Sequence, residues 1–575
     1  MAKPDGSGES KVERAKREGR HLRGTIAETL GSDAASFGAD DIHLLKFHGV
    51  YQQDDRDARR GRLEGEEKAY QFMVRVALPG GRLGAAQYLE LDRLADRANG
   101  TLRVTTRQGF QYHGVLKGEL KATIAGVHRS LATTLAACGD VNRNVMGCPA
   151  PLADPLHRSV QSAAARIAAD LRPASGAYHE IWLDGERQLS TEIEEPFYGD
   201  RYLPRKFKVA VGLASDNCVD LHAHDVALVA LPSGTRVAGF ALLVGGGLGM
   251  THGKGDTIAS LAQPLGRVAE ADAVLATRTV AAIFRDHGNR ADRRHARLKY
   301  LIQDWGMDRF REEFARRAPG ILRPFEPLDA ITYHDHLGPA RQGDGRWCYG
   351  VFIQSGRIAD TGTLRLRSAL RAIVTRLEPG LSLTPHQNLI LTDLDRAGLA
   401  LVEDTLYRHG VAPPAGLSAV QRHSMACPAL PTCGLAVAES ERFFPGVLAE
   451  LEAELGGLGL RDAPIAVRMT GCPNGCARPY TADLAFVGRS LGLYHIYVGG
   501  GLRGDRVTDL YLADVRADDL VAAVAPLLRL WAAQRSPGEG LGDFYQRTLG
   551  RREARQRLTG RETPTAELVQ LERIG

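Results

Sequence analysis

Apolar and polar positions alternate in YQFMVRVALPGG, which predicts a strand over 72–78 ending at a Pro-Gly-Gly turn. AAQYLELDRLADRAN then carries its apolar residues at helical spacing, TLRVTTRQGFQYHGV reads as a second strand, and another helix is expected at about 119–137. The order returns from Trp347. CYGVFIQSGRI predicts a strand, TLRLRSALRAIVTRLEPG a helix, LSLTPHQNLILTDL a strand, and 396–409 a closing helix. Between the two units, residues 255–340 read as mostly helical, with a basic amphipathic run at RRHARLKYLIQDWGMDRFREEFARR. Residues 1–20 read as a solvated, disordered leader, and His48, Gly49 and Tyr51 as part of an extended arm packed on the body. The polar tail after about 535 closes on Leu568, Leu571 and Ile574, the pattern of a docking helix.

The two units share a register. Gln108 lies 40 residues before Cys148, and Gln387 lies 40 before Cys427; NRNVMGCPAP (142–151) aligns with QRHSMACPALP (421–431). At that spacing of 279, Arg75 falls on Gln354. DNCVDLHAHDVALVA (216–230) lies over NGCARPYTADLAFVG (474–488), and FALLVGGGL (240–248) over YHIYVGGGL (494–502). The chain therefore reads as an internal duplication. The expected fold is α+β with pseudo-twofold symmetry in three domains of mixed sheets and helices. The arm occupies 1–67, paired β-α-β halves occupy 68–135 with 340–414, and two repeat domains occupy 136–339 and 415–575.

Composition narrows the function. A net charge of +5 over 575 residues is too small to imply nucleic-acid binding, so any cationic function must come from local placement. The longest apolar runs, around 237–248 and 520–528, are broken by Gly or Pro and too short to span a bilayer, and the N-terminus has no apolar core; a cytoplasmic protein is expected. Four of the eight cysteines form Cys427-x5-Cys433 and Cys472-x3-Cys476 among Pro, Gly and Asn. Four soft thiolates in turns suit zinc or iron–sulfur, and the x5 spacing weighs mildly against zinc. In the first copy Asp154 replaces Cys433 and Ala214 replaces Cys472. Cys148 and Cys218 remain there and read as small buried residues. That copy is cationic instead: Arg75 within an apolar strand, Arg107 and Arg143 in polar triplets, and Lys206 and Lys208 on one face of a strand. Such a set implies a polyanionic ligand. VGGGLGMTHGKG (244–255) fits neither a dinucleotide fingerprint nor a P-loop, and with no flavin or nicotinamide motif, electrons for any redox reaction must come from a partner.

With Cys427-x5-Cys433 and Cys472-Pro-Asn-Gly-Cys476 following duplicated strands, the chain resembles the sirohaem-containing sulfite and nitrite reductases from Leu22 to about residue 560. LRGTIAETL and FHGVYQQDDRD resemble the haemoprotein (beta) subunits of the assimilatory NADPH-dependent sulfite branch. The resemblance implies a 4Fe-4S cluster on Cys427, Cys433, Cys472 and Cys476, with Cys476 also ligating the sirohaem iron. It implies sulfite binding by Arg75, Arg143, Lys206 and Lys208, and sirohaem carboxylate contacts from Arg107 and Lys299, with Gln111 and His113 facing the same cavity. Reduction of sulfite to sulfide takes six electrons. A flavoprotein that oxidises NADPH, joined in a hetero-oligomer, is the donor implied, with ferredoxin as the alternative. Lys208 favours sulfite over nitrite, since the nitrite branch tends to carry asparagine there. The rival readings are a ferredoxin-dependent nitrite reductase and a zinc-stabilised anion-binding module.

Overall fold

In the strand Tyr70–Arg75, Phe72 and Val74 are fully buried on one face, while Gln71, Met73 and Arg75 occupy the other. This alternation places Arg75 opposite a core shared by both β-α-β units. The computed structural model describes residues 10–59, 66–174, 180–183, 186–190 and 195–550. They fall into two compact units, one comprising Met1–Gly247 with Ala262–Pro413, the other Leu248–Leu261 with Pro414–Gly575.

The first unit contains two five-stranded sheets that exchange a strand. One runs Val50–Asp54, Tyr70–Arg75, Phe110–Val115, Leu102–Val104 and then Arg357–Ile358, which comes from the second copy. The other runs Gly338–Arg341, Trp347–Val351, Leu389–Leu394, Gly380–Leu383 and then Arg82–Leu83 from the first copy. The helices Ala85–Leu94, Lys117–Arg129, Leu366–Leu377 and Arg396–Arg408 belong to the same β-α-β units, and one apolar core gathers Tyr88, Leu91 and Val127 with Leu370, Ile373 and Val402. Across the copies Arg367 donates to Asp92 (2.8 Å) and Asp96 (2.7 Å), so the buried Asp92 carboxylate is paired.

Several expectations are corrected. The stretches 101–115 and 381–394 are each a hairpin, because Gln108 (φ 51°) and Gln387 (φ 67°) take left-handed backbone in the turn. Gln108 repays the strain with its side chain: its amide nitrogen donates to Gly147 (2.8 Å) and Leu383 (3.0 Å), and its oxygen accepts from the Gly147 N–H (2.9 Å). The counterpart of Arg75 is Gly350, since these residues pair with Gln111 and Ile390 respectively; the small hairpin Asp360–Thr361 with Leu364–Arg365 marks where the second copy lengthens. The helix expected at 119–137 ends at Arg129. Residues 11–18 of the leader form a helix, Lys11–Glu18, whose Glu13 and Lys16 are buried; Lys16 pairs with Glu13 and donates to the Leu203 carbonyl (2.9 Å). The stretch 255–340 contributes a strand, Gln263–Val268, and the helices Ala273–His287 and Leu298–Arg317. Beyond these it runs without helix through Pro319, Pro324 and Pro327, each lacking the N–H that a helix interior needs. The expected C-terminal docking helix lies outside the described residues.

The repeat segments share one topology. In the first unit Met146–Gly147, Val209–Leu213 and Val226–Ser233 are parallel, followed by antiparallel Arg236–Val244 and Gln263–Val268. In the second unit Met425–Ala426, Val467–Thr470, Leu484–Ser490, Leu493–Val498 and Asp509–Arg516 repeat that order and direction. Asp225 and Asp483 occupy matching places. Asp225 accepts from the Lys208 N–H (3.0 Å) and Asp483 from the Ala466 N–H (2.8 Å). Their partners differ: Asp225 holds the buried Arg297 guanidinium (2.8 Å), whereas Asp483 accepts a second backbone N–H, from Gly542 (2.8 Å). Burial pushes the Asp483 carboxyl up to about 6. Asp225→Ala is therefore expected to destabilise the first unit by about 3–5 kcal/mol, because it strands a buried guanidinium. Asp483→Ala should cost about 1–3 kcal/mol per stranded N–H, and urea denaturation of the two variants would check both.

Candidate functional site

Antiparallel register builds the cationic face of the first unit. Arg75 pairs with Gln111, Gln111 with Arg103, and Arg103 with Arg357, so four adjacent strands present one row of side chains on a common face. The Gln111 amide, with its oxygen toward Arg75, accepts from Arg75 Nε at 3.1 Å. His113, two residues along the same face, is buried, and neither ring nitrogen has a hydrogen-bond partner in the protein. Burial, then the charges of Arg357, Arg103 and Arg75, hold it well below the ordinary histidine range, so its imidazole is neutral.

The second cationic group lies where two strand ends meet. The Arg143 N–H donates to the Phe207 carbonyl (2.9 Å), and the Phe207 N–H donates to Val141 (3.0 Å). Phe207 is fully buried and stacks on Phe284 at 6.0 Å, which turns Lys206 and Lys208 to the opposite face. Burial pushes Lys208 well below the usual lysine range, reinforced by the charges of Lys206, Arg107, Arg297 and Arg143. Arg107 donates to the Asn144 carbonyl, and Asn144 Nδ2 returns a bond to the Arg107 carbonyl at 2.7 Å. Tyr51 connects this group to the sheet: burial and the neighbouring Cys138 raise its phenol, while Arg143 and Arg75 act against them. Lys299 opens the helix Leu298–Arg317 and donates to the Gly247 carbonyl (2.9 Å). A Cβ at Gly247 would lie 2.9 Å from Arg297 and 3.4 Å from Lys299, so glycine lets the two cations close over the backbone there.

Arg103, Arg297 and Arg357 escaped the sequence reading. Arg103 carried the signal that marked Arg75, a charge inside an apolar strand, here flanked by the buried Leu102 and Val104. Arg297 stands two residues before Lys299, and only its fold partner Asp225 gives it meaning. Arg357 becomes visible only through the exchanged strand.

The second unit carries the thiols. Cys427 leaves the strand Met425–Ala426 and Cys472 leaves Val467–Thr470; the Cys427 N–H donates to Met469 (3.2 Å). Cys427 and Cys472 are buried, Cys433 is half-buried and Cys476 is exposed. Two N–H groups point at sulfur, Gly471 N–H at Cys427 Sγ and Asn474 Nδ2 at Cys472 Sγ, each at 3.4 Å. Ala429, Leu430 and Ala436 supply apolar packing. A Cβ at Gly471 would meet Ala429 Cβ and the Ala438 oxygen at 2.5 Å, so only glycine allows this closeness. Burial pushes the Cys472 thiol up to about 12, helped by Cys476; burial raises Cys427 too, helped by Cys476 and Cys472. Buried thiols that ionise with difficulty, with N–H donors aimed at two of the sulfurs, suit a cationic metal core that would neutralise them as ligands, and the donor set fits an iron–sulfur cluster. The unpartnered His113 nitrogens and the crowded cations around Lys208 likewise fit a carboxylate-rich cofactor.

The sequence matches the family described as "Nitrite and sulphite reductase 4Fe-4S domain" over residues 162–321 and 419–559, and "Nitrite/Sulfite reductase ferredoxin-like half domain" over 64–129 and 339–408. The chain belongs to the nitrite and sulfite reductase family, oxidoreductases with sirohaem and a 4Fe-4S cluster as cofactors. It is 45% identical to a "Sulfite reductase [ferredoxin]" of Synechococcus elongatus, over 94% of this chain and 89% of that protein. It is 44% identical to a "Sulfite reductase [NADPH] hemoprotein beta-component" of Chromohalobacter salexigens, over 93% and 94%. The solved Mycobacterium tuberculosis NirA protein superposes with a TM-score of 0.76 at 26% identity, covering 94% of this chain and 96% of that one. Among the described residues, no helix is long and apolar enough to cross a membrane.

Lys299 gives a pH test. Burial, then Arg297, lowers its ammonium to about 7. If its charged form is what grips a carboxylate, uptake of sirohaem by the cofactor-free chain should weaken by about tenfold from pH 6 to pH 8 as the lysine loses its proton. Spectroscopic titration of wild type against Lys299→Met, whose affinity should be flatter across that range, checks this.

Proposed function

We propose that the protein is an assimilatory sulfite reductase haemoprotein, converting sulfite to sulfide with six electrons for cysteine synthesis in the cytoplasm. The observation that carries the reading is the cationic cluster around Lys208, whose amine is held well below the usual lysine range by burial and then by the charges of Lys206, Arg107, Arg297 and Arg143. Such a site stabilises negative charge on an oxyanion and supplies protons to departing oxygens. Arg75 and Arg143 grip sulfite oxygens, and Lys206 and Lys208 polarise the S–O bonds and deliver protons. Arg107, Gln111, His113 and Lys299 hold the sirohaem periphery, and Arg103 and Arg357 extend the same row. Sirohaem and the 4Fe-4S cluster, when bound, would supply the electrons that the reduction consumes. Cys427, Cys433, Cys472 and Cys476 would hold the cluster, and Cys476 would also be the protein's ligand to the sirohaem iron. In this reading residues 68–135 and 340–414 form one domain and 136–339 and 415–575 two others.

The relatives' names support two donors. Several are NADPH-type hemoprotein beta-components, which points to a flavoprotein partner in a hetero-oligomer, and the ferredoxin-type relative supports ferredoxin as the second reading. The deciding experiment uses protein from a sirohaem-producing host. Isobacteriochlorin bands, about five irons per chain from one cluster and one haem, and sulfide release with turnover of sulfite exceeding that of nitrite would support the proposal. Preferential nitrite turnover would overturn the substrate assignment. Parallel assays with NADPH plus the flavoprotein, or with reduced ferredoxin, would identify the donor.

A further inference from the structure

The first unit contains a second cluster of ligating side chains that sulfite reduction does not use. Cys148 Sγ lies 3.8 Å from Cys218 Sγ and 3.3 Å from Asp216 Oδ2, and that carboxylate oxygen lies 2.9 Å from His336 Nε2. The four ligand atoms all fall within 4.8 Å of one another. We propose that Cys148, Cys218, Asp216 and His336 bind one zinc ion.

The spacing matches the ion. Zinc–sulfur bonds of about 2.3 Å and zinc–oxygen bonds of about 2.0 Å in a tetrahedron give an S···S edge of about 3.8 Å and an S···O edge of about 3.5 Å. The observed edges are 3.8 Å and 3.3 Å. The Asp–His edge, at 2.9 Å, is that of a close ion-pair contact between the two groups, and His336 Nε2 has no hydrogen-bond partner among the described residues. Two thiolates, an imidazole and a carboxylate are borderline-soft donors of the kind zinc takes, and too few thiolates to hold a four-iron cluster. Both cysteines are 1% exposed and Asp216 is 6% exposed, with its Oδ1 buried and lacking a hydrogen-bond partner.

The surroundings support the ligands. His157 stands within electrostatic reach of Cys148 and meets Asp154 Oδ2 at 2.7 Å through Nδ1, a carboxylate–histidine pair beside the proposed ligand. Arg82 lies within electrostatic reach of Cys148 and offsets the net negative charge of two thiolates and a carboxylate around a divalent ion. The duplication explains the location. Cys148 and Cys218 stand at the positions of Cys427 and Cys476, so the first copy keeps two cluster-type thiolates and completes the set with Asp216 and His336. The ion's role is structural. His336 ends a helix-free stretch already stitched to the sheet by Thr332 N–H to Ala214 (2.9 Å) and Asn217 N–H to Thr332 (2.8 Å), and zinc would lock that stretch in place.

The test is elemental analysis of the holoenzyme, purified anaerobically from zinc-supplemented cells, followed by zinc K-edge absorption, which the iron cofactors do not disturb. About one zinc per chain with two sulfur neighbours near 2.3 Å is the expected result. A chain without zinc, whether Cys148 and Cys218 are free thiols or joined as a disulfide, overturns the proposal. Since Cys148→Ser with Cys218→Ser could prevent folding, His336→Ala provides a second measurement. It should lose zinc to a chelator at least tenfold more readily than wild type while its iron content is unchanged; equal retention of zinc by both proteins also overturns the proposal.

Discussion

Cys472→Ser is expected to leave the chain without its cluster. Iron per chain should fall from about five to below one, acid-labile sulfide should fall with it, and sulfite-dependent activity should drop below detection. Serine offers a harder and more basic oxygen donor, and Asn474 would lose the sulfur to which its amide donates. The fold should persist, because the core of the second unit is built from Phe444, Leu448, Leu451, Phe486 and Trp531, with the thiols outside it. Far-ultraviolet circular dichroism close to wild type alongside lost iron is therefore the expected pair of readings. Cys476→Ser should lose or disorder the coupled haem as well, whereas Cys218→Ser should leave iron and visible spectrum intact. Equal iron loss in Cys218→Ser and Cys476→Ser would contradict the division of the copies into a cluster-bearing half and an anion-binding half.

Lys208→Met should lower kcat by about 10²–10³, equivalent to about 3–4 kcal/mol of transition-state stabilisation. Methionine keeps the apolar stem and removes both charge and proton. Sulfite affinity should change less than kcat if the ammonium acts mainly as oxygen leaves. The pH profile separates this role from a structural one. Lys208 is depressed by burial and then by Lys206, so activity should fall as pH rises through that lowered pKa and the ammonium is lost. Lys206→Met removes a neighbouring positive charge, which favours the charged form of Lys208 and should move the alkaline limb to higher pH. A limb that stays in place would mean that another group delivers the proton.

The duplication was legible because turn chemistry and cysteine spacing repeat together: Met146 and Cys148 recur as Met425 and Cys427, each beside a short parallel strand. Arg75, Arg107, Arg143, Lys206 and Lys208 were legible as charges in apolar or tightly turned contexts, and the fold places them in neighbouring groups. Three kinds of feature were hidden. Arg82–Leu83 and Arg357–Ile358 are two-residue strands, too short for any period, so their exchange left no trace. The hairpins at Gln108 and Gln387 were masked because a non-glycine residue takes the left-handed position in each, which at Gln108 is held by a contact remote in sequence, with Leu383. The metal cluster at Cys148 was missed because Asp216 and His336 lie 120 residues apart and meet only in the folded chain.

The exchanged strands also set a timetable for synthesis. When Leu102–Val104 leaves the ribosome, its sheet partner Arg357–Ile358 is about 250 residues away. At roughly 5–20 residues per second the nascent chain carries that open edge for about 13–50 s. Over this interval the half-built sheet offers an unpaired template for a neighbouring nascent chain. Output of soluble protein should therefore depend on translation speed and on chaperones that shield the edge, and neither copy of the β-α-β unit should be obtainable alone as a well-behaved fragment.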